Sequence, residues 1–273
     1  MLTKPDRHKP GRLRQQLDTH EPVVGYFMCT GEPVFVEIMG TSGFDFVAFD
    51  TEHGRLNIET IEHLTRAAEV TGLSSLVRFP KDDYNLALRC LEAGAEGLIM
   101  THCCSSSDVR KLIDTMKFSP IGRRGYATNT RANDYGQNAP SNYITAANDN
   151  LIVGVMIEDS EAVQNIDDIL NVDGLDLIII GFGDLSASCG VPTQFDHPKV
   201  LEAAEAVVAA CAAHSNITLG VFVEDAKEIP SWLEKGASFY VYLSEVDLFR
   251  NACDEAVKGF KAVITDSNQK SAR

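Results

Sequence analysis

Residues 151–180 read LIVGVMIEDSEAVQNIDDILNVDGLDLIII, with two continuous apolar runs on either side of one amphipathic segment. The runs at 151–157 and 175–180 are rich in Ile, Val and Leu, which is typical of strands buried on both faces of a sheet. The segment at 160–170 starts with Ser160, a residue type favoured at helix N-caps, and predicts a helix. A buried strand, a helix and a second buried strand indicate a parallel β–α–β unit.

The same alternation extends over most of the chain. Eight β-rich runs are predicted, at 23–28, 44–50, 75–78, 97–100, 151–157, 175–180, 218–223 and 239–243. Helical patterns are predicted at 58–71, 84–93, 107–117, 160–170, 197–214, 226–235 and 246–263. Eight such units in about 250 residues predict an α/β fold, a closed (β/α)8 TIM barrel. An open doubly wound sheet is the alternative, but no Gly-x-Gly-x-x-Gly follows the first strand.

The whole chain, 1–273, is predicted to be a single barrel domain. A polar extension is expected over about 1–20 and a disordered C-terminal tail over about 266–273. One long segment, 119–150, is rich in Gly, Asn and Arg and interrupts the alternation. A loop of this length in a compact domain is usually functional, so we expect a functional loop with a short helix near 143–148.

Charge and cysteine content limit the classes of partner and the location of the protein. The 273 residues include 24 Lys and Arg against 39 Asp and Glu, a formal net charge of −15. Such an acidic surface disfavours nucleic acid and anionic membranes as partners. We find no run of the roughly 20 apolar residues that a spanning helix requires, and no apolar signal-peptide core at the N-terminus. Seven cysteines without regular spacing do not indicate a disulfide framework, and this predicts a reducing, cytoplasmic location.

Polar residues follow four of the predicted strands, at the carboxyl ends where parallel barrels carry their active sites. They are Asp50 and His53 after the second strand, Arg78 at the third, Glu158 after the fifth and Asp184 after the sixth. Each also fits a structural role when taken singly, such as a turn cap, a strand exit or a surface ion pair. Their joint placement on four strand ends favours one active site.

The chemistry of these five residues divides naturally. Glu158 and Asp184 offer the hard oxygen ligands that suit Mg²⁺ or Mn²⁺, and a metal with open positions chelates and polarises a 2-oxo acid. Arg78 would stabilise the oxyanion of an enolate, and His53, oriented by Asp50, would act as general base. Glu52 is the alternative partner of His53, but neighbouring side chains in extended backbone point in opposite directions.

Imine chemistry is disfavoured, because a Schiff-base aldolase needs a buried Lys on a strand and every Lys of this chain falls in a predicted loop, helix or tail. Cys103 and Cys104 follow His102 directly and lack the usual Cys-x-x-Cys spacing. Small residues at a strand end and a zinc or redox site are both open interpretations of this stretch.

Several motifs occur together and in order. They are GFDFVAFDTEHG at 43–54, VRFP at 77–80, GAEGLI at 94–99, FSPIGRRGYATNTRANDYG at 118–136 and IEDSEAVQNIDDILNVDGLDLIIIGFGDLSASCG at 157–190. With their spacing, they resemble the HpcH/HpaI family of metal-dependent, class II pyruvate aldolases over about 12–260. The resemblance implies a (β/α)8 barrel that reversibly cleaves a 4-hydroxy-2-oxo acid into pyruvate, or a related 2-oxo acid, and an aldehyde. It also implies a divalent metal (Mg²⁺, Mn²⁺ or Co²⁺) and a homohexamer in which the last helix packs on a neighbouring subunit.

The resemblance assigns roles to residues of this chain. It places the metal ligands at Glu158 and Asp184 and the enolate-stabilising arginine at Arg78. It places the histidine base and its aspartate partner at His53 and Asp50. Backbone amides around Gly183 and Asp184 would bind the carboxylate of the substrate.

Three positions depart from the family pattern. Met156 stands where the family often carries Gln, and Phe182 stands where it commonly has Pro. The fourth strand ends in Met100-Thr101-His102 rather than in a Pro-containing run. These departures leave open a related carbon–carbon lyase, such as an oxaloacetate-type decarboxylase. A catalytically inactive binding oligomer is the alternative from another class.

Overall fold

A computed structural model describes residues 9–271, with side chains described up to residue 264. Eight strands form one closed barrel in which each strand pairs in parallel with its sequence neighbours and the eighth closes on the first. The strands are β1 (Val23–Met28), β2 (Phe46–Asp50), β3 (Ser74–Phe79), β4 (Gly97–Met100), β5 (Ile152–Ile157), β6 (Leu177–Ile180), β7 (Thr218–Val223) and β8 (Ala237–Ser244). The predicted (β/α)8 TIM barrel is confirmed, and the open-sheet alternative is wrong.

Helices alternate with the strands. They are α1 (Arg12–Asp18), α2 (Pro33–Thr41), α3 (Ile58–Thr71), α4 (Tyr84–Glu92), α5 (Ser106–Met116), α6 (Pro140–Asn150), α7 (Ser160–Gln164), α8 (Ile166–Leu170), α9 (Phe182–Ser188), α10 (Pro198–Cys211), α11 (Ile229–Glu234) and α12 (Glu245–Ser271). Local signals define their ends, as in α3, where the Asn57 side chain accepts from the Thr60 N–H and Gly72 ends the helix at a φ of 74°.

Several elements differ from the prediction in detail. The helix predicted at 160–170 is two short helices, α7 and α8, which meet at Asn165. The segment 119–150 contains a 3₁₀ helix (Arg131–Gly136) and all of α6. Helix α12 continues beyond its predicted end at 263, so the predicted tail begins within it, while 1–8 and 272–273 lie outside the described residues. No helix in the described part of the chain is both long and apolar enough to cross a bilayer.

Strand periodicity positions the site. Alternate residues of the strands fill the barrel interior, and this buried set includes Phe46, Ala48, Leu76, Ile99, Ile152, Met156, Leu177, Ile179, Phe239 and Val241. Because side chains alternate with a period of two, the next inward position on β2, β3 and β5 falls on Asp50, Arg78 and Glu158. The top layer of the barrel is therefore charged, above a core that is apolar. Helix α1 places Leu13 and Leu17 in the same buried set.

Candidate active site at the carboxyl ends of the strands

Asp50 and Arg78 form a buried pair at the top of the barrel. The Arg78 Nε donates to Asp50 Oδ1 at 3.0 Å and its Nη2 donates to Oδ2 at 2.6 Å. Arg78 is 8% exposed and Asp50 is 1% exposed. The guanidinium also lies over the Phe27 ring, with Cζ 4.2 Å from the centroid. Burial by itself would raise the pKa of Asp50, but the Arg78 hydrogen bonds and charge outweigh it and lower that pKa. Asp50 thus stays ionised and fixes the orientation of Arg78.

His53 has a different carboxylate neighbour from the one predicted. Asp50 accepts the backbone N–H groups of Glu52 and His53, at 3.0 and 3.2 Å, rather than a proton of the imidazole. The His53 Nε2 lies 3.7 Å from Glu52 Oε2, and the His53 side chain is 66% exposed. The predicted pairing of Asp50 with the imidazole is therefore wrong in this structure. The chain leaves the extended conformation after Asp50, so the alternation argument that disfavoured Glu52 does not apply.

Glu52 connects the residues of the barrel mouth. Its Oε1 accepts from the Thr101 hydroxyl at 2.8 Å and lies 3.8 Å from His102 Nε2. Its Oε2 lies 3.8 Å from Arg78 Nη1. Sequence reasoning missed this role, although the run DTEHG placed Glu52 between the candidate residues Asp50 and His53.

A group of three residues could hold a metal ion. Ligand atoms of His102, Glu158 and Asp184 lie within 4.8 Å of one another. Glu158 is buried at the end of β5 and accepts the His102 backbone N–H at 2.7 Å, whereas Asp184 is exposed in the first turn of α9. The structure therefore brings together both carboxylates predicted as ligands, and it adds His102, which the sequence reasoning did not place in the metal site.

The electrostatics of Glu158 fit a divalent cation. Burial raises the pKa of Glu158 to about 7, although the backbone hydrogen bond and charge of His102 act to lower it. The negative charge of Asp184 contributes to this rise, although less than burial does. A buried carboxylate without compensating charge is costly, and a cation shared with Asp184 would remove that cost. The donor chemistry and the burial are both those of a metal site.

The connection from β6 to α9 passes close over Glu158. A Cβ atom at Gly181 would lie 2.5 Å from Glu158 Oε2 and 2.9 Å from Glu158 Cβ, so a larger residue would displace the Glu158 side chain. Gly183 and Asp184 follow in the exposed first turn of α9. Gly181 thus allows this turn to lie beside the buried carboxylate.

A cavity of about 550 Å³ opens beside these residues. Arg78, Glu158 and Asp184 belong to its wall, and the aromatic side chains Phe182, Phe222 and Trp232 also line it. Arg78 is the only cationic side chain among the described residues of the lining. The cavity can therefore accept a small anionic group near Arg78 and a less polar group along the aromatic wall.

The structure also places the lysine that most resembles an imine-forming residue. Lys117 is buried, and burial lowers its pKa to about 8. However, it follows α5 and its Nζ donates to the carbonyls of Asn148 and Leu151, at 2.8 and 2.7 Å. Because Leu151 precedes β5, Lys117 lies at the amino end of the barrel, opposite the site. Its position agrees with the prediction of metal rather than imine chemistry.

The two cysteines after His102 do not join the metal-binding group. Burial raises the pKa of Cys103 to about 12 and that of Cys104 to about 11, so both favour the thiol over the metal-binding thiolate. All seven cysteines of the chain are unpaired in this structure. The packing interpretation of Cys103 fits best, since it is buried in the layer between strands and helices.

Comparisons with known proteins agree with this geometry. The family model for HpcH/HpaI aldolase/citrate lyase matches residues 24–252. A 5-keto-4-deoxy-D-glucarate aldolase of Shigella boydii serotype 18 is 26% identical over 252 residues, which cover 92% of this chain and 97% of the relative.

Two solved structures extend the comparison. An HpcH/HpaI aldolase from Desulfitobacterium hafniense DCB-2 has a TM-score of 0.85 and 30% identity, covering 91% of this chain and 96% of that one. The citrate synthase SbnG has a TM-score of 0.80 and 28% identity, covering 96% and 99%. These matches confirm the predictions of an enzyme and of its family. The chain is a carbon–carbon lyase that belongs to the HpcH/HpaI aldolase/citrate lyase family.

Proposed function

We propose that this enzyme reversibly cleaves a 4-hydroxy-2-oxo acid into pyruvate, or a closely related 2-oxo acid, and an aldehyde. The convergence of Arg78, Glu158 and Asp184 on one cavity carries the proposal. The three groups match the needs of an enolate-forming lyase, which are a cationic donor for the oxyanion and oxygen ligands for a metal. The similarity to an aldolase that acts on 5-keto-4-deoxy-D-glucarate supports the same substrate class.

Glu158 and Asp184 would hold a divalent metal such as Mg²⁺, Mn²⁺ or Co²⁺. Bound there, the metal would act as a Lewis acid on the keto group of the substrate. Backbone N–H groups around Gly183 and Asp184, at the start of α9, would bind the substrate carboxylate. The glycine at 183 leaves this turn open to the cavity, since nothing lies within 4 Å of its ideal Cβ position.

Arg78 and His53 would act on the two oxygen atoms that change charge as the C3–C4 bond breaks, the keto oxygen and the C4 hydroxyl. Arg78, locked by Asp50 and stacked on Phe27, would donate to the keto oxygen as negative charge develops on it. His53, next to Glu52 at the open mouth, would accept the proton of the C4 hydroxyl group. Breaking the C3–C4 bond then releases the aldehyde and leaves the enolate of the 2-oxo acid.

Solvent deuterium exchange into the methyl group of pyruvate tests this function without knowledge of the aldehyde. With Mg²⁺, Mn²⁺ or Co²⁺ present, we expect NMR to show exchange that is fast relative to the enzyme-free reaction and that EDTA abolishes. The physical reason is that enolate formation exchanges the methyl protons whether or not an aldehyde follows. Absence of exchange with all three metals would contradict an enzyme acting through the pyruvate enolate.

Replacing His53 with Gln is expected to separate two reactions. Aldol cleavage should fall by about 10²–10⁴-fold, the usual contribution of a general base. Oxaloacetate decarboxylation should fall by much less, because it forms the same enolate without removing a hydroxyl proton. Steady-state kcat for both substrates gives the comparison. Equal losses in the two reactions would contradict the role of His53 as the base.

A second candidate function uses the same enolate but forms or breaks a different carbon–carbon bond. The similarity to the citrate synthase SbnG supports carbon–carbon bond formation, and an oxaloacetate-type decarboxylase would need the same Arg78 and metal groups. Relative kcat/KM for hydroxy-oxo-acid cleavage, oxaloacetate decarboxylation and condensation of pyruvate with carbonyl acceptors would rank these reactions. A cleavage value below the other two would favour this second candidate.

We also propose that the enzyme is a cytoplasmic homohexamer. Helix α12 supports the assembly, because it carries exposed apolar side chains that need a partner surface. They are Val246, Phe249, Val257, Phe260 and Ile264. An apolar stripe of this kind on an exposed helix marks an interaction surface. Light scattering on the full chain tests the assembly, and a monomer would contradict it.

A further inference from the structure

His102 occupies an unusual backbone conformation directly beside the metal-binding carboxylates. Its φ is 50°, in the left-handed region that non-glycine residues adopt rarely and often at functional sites. In this conformation its N–H donates to Glu158 Oε1 at 2.7 Å. Its imidazole Nδ1 lies 3.0 Å from Asp159 Oδ2 and 3.9 Å from Glu158 Oε1. One residue thus contacts the buried carboxylate with its backbone and approaches it with its ring.

The inward-facing position before Glu158 on β5 offers no metal ligand as strong as a carboxylate or an imidazole. Met156 is the inward-facing residue two positions before Glu158, and its side chain is buried in the barrel interior. A thioether is a soft and weak donor for a divalent cation bound by carboxylates. The ligand atom that does lie within 4.8 Å of both carboxylates belongs to His102, at the end of β4.

We propose that His102 is the third protein ligand of the metal and that its nitrogen makes the site prefer a transition metal such as Co²⁺ over Mg²⁺. The inference deepens the proposed function, since it concerns the same site. Imidazole suits the later first-row metals, whereas carboxylates and water suit Mg²⁺. Two carboxylates alone would discriminate much less between these ions.

Asp159 is the positioning residue for this ligand. A metal-binding histidine usually places its other ring nitrogen against a carboxylate, which fixes the ring and raises its basicity. Here Asp159 pairs with Nδ1, so Nε2 is the ring nitrogen left for the metal. Asp159 follows Glu158 directly, so a single turn after β5 supplies both a ligand and the partner of the neighbouring imidazole. The His102 side chain is 43% exposed, so its removal leaves little buried volume empty.

The first test measures coordination directly. Pulsed EPR of the Mn²⁺-loaded full-length protein is expected to show ¹⁴N modulation from a coordinated imidazole, which the H102A substitution abolishes. H53A is the matched control, because His53 lies at the same mouth but outside the metal-binding group. It should retain the modulation. A wild-type protein without ¹⁴N modulation, or modulation that persists in H102A, would overturn the proposal.

The second test measures selectivity by calorimetry. H102A is expected to weaken Co²⁺ binding by about 10–100-fold and Mg²⁺ binding by less than about threefold. D159N should weaken Co²⁺ binding to an intermediate extent, by about tenfold. Equal losses of affinity for the two metals would overturn the proposed preference for Co²⁺.

The two proposals fail in distinguishable ways. Pyruvate exchange without ¹⁴N modulation would refute this inference alone, whereas modulation without exchange would refute only the proposed function.

Discussion

Replacing Arg78 with Ala is expected to lower kcat/KM for aldol cleavage, and the rate of pyruvate exchange, by about 10²–10³-fold. The guanidinium is the only cationic group among the described residues of the cavity wall, so no other described lining side chain can replace it. Steady-state kinetics and NMR exchange give the two rates. Near-wild-type rates in this variant would contradict the role of Arg78.

The same substitution is expected to lower the free energy of unfolding by about 3–5 kcal/mol, because it leaves Asp50 as a buried and unpaired carboxylate. The difference in free energy of unfolding between R78A and the wild type should become smaller as pH falls through the acid range. In the wild type, Arg78 lowers the pKa of Asp50, so the stability from the pair is present above the ordinary aspartate pKa and is lost as pH falls through the lowered value. Urea unfolding at several pH values measures this.

A double variant separates stability from catalysis. R78M combined with D50N removes both charges and keeps much of the side-chain volume, so it should recover most of the stability lost in R78A. Activity should stay low, because the donor to the oxyanion is still missing. If activity returned together with stability, Arg78 would be a structural residue and its assigned chemical role would be wrong.

Replacing Glu158 with Gln is expected to weaken Mn²⁺ binding by more than about 100-fold and to reduce turnover by about 10³-fold. Gln has nearly the same shape but lacks the negative charge that a buried metal ligand provides. Calorimetry with Mn²⁺ and pyruvate exchange measure the two effects. Unchanged Mn²⁺ affinity would contradict the assignment of the ligand.

Thermal unfolding without metal provides the control for folding. The Gln variant should be at least as stable as the wild type, because it removes a buried carboxylate whose negative charge is repelled by Asp184. E161Q is the matched control, since Glu161 is an exposed residue of the following helix, α7. It should leave Mn²⁺ binding unchanged.

The sequence predicted the barrel and the positions of its charged residues because both depend on local periodicity. A period of two along β2, β3 and β5 places Asp50, Arg78 and Glu158 above an apolar core, and parallel strands present their carboxyl ends together. The two carboxylates of the metal-binding group were predicted on the same argument. Apolar spacing and caps predict helices such as α3, α4 and α5, but α1, α2 and α9 are not among the predicted helices. The break at Asn165 is not visible in the sequence because both halves keep the helical pattern.

Interactions beyond the strand ends were decided only by the tertiary structure. The partner of Asp50 is Arg78 on the neighbouring strand and not the imidazole three residues away, because a buried guanidinium and carboxylate compensate each other's charge. Glu52 lies beside His53 because the chain turns after β2 and no longer alternates. His102 enters the metal-binding group through a left-handed backbone angle at the end of β4. Periodic patterns specify which side of a strand a residue occupies, but outside the strands the direction of a side chain depends on turns and contacts between distant segments.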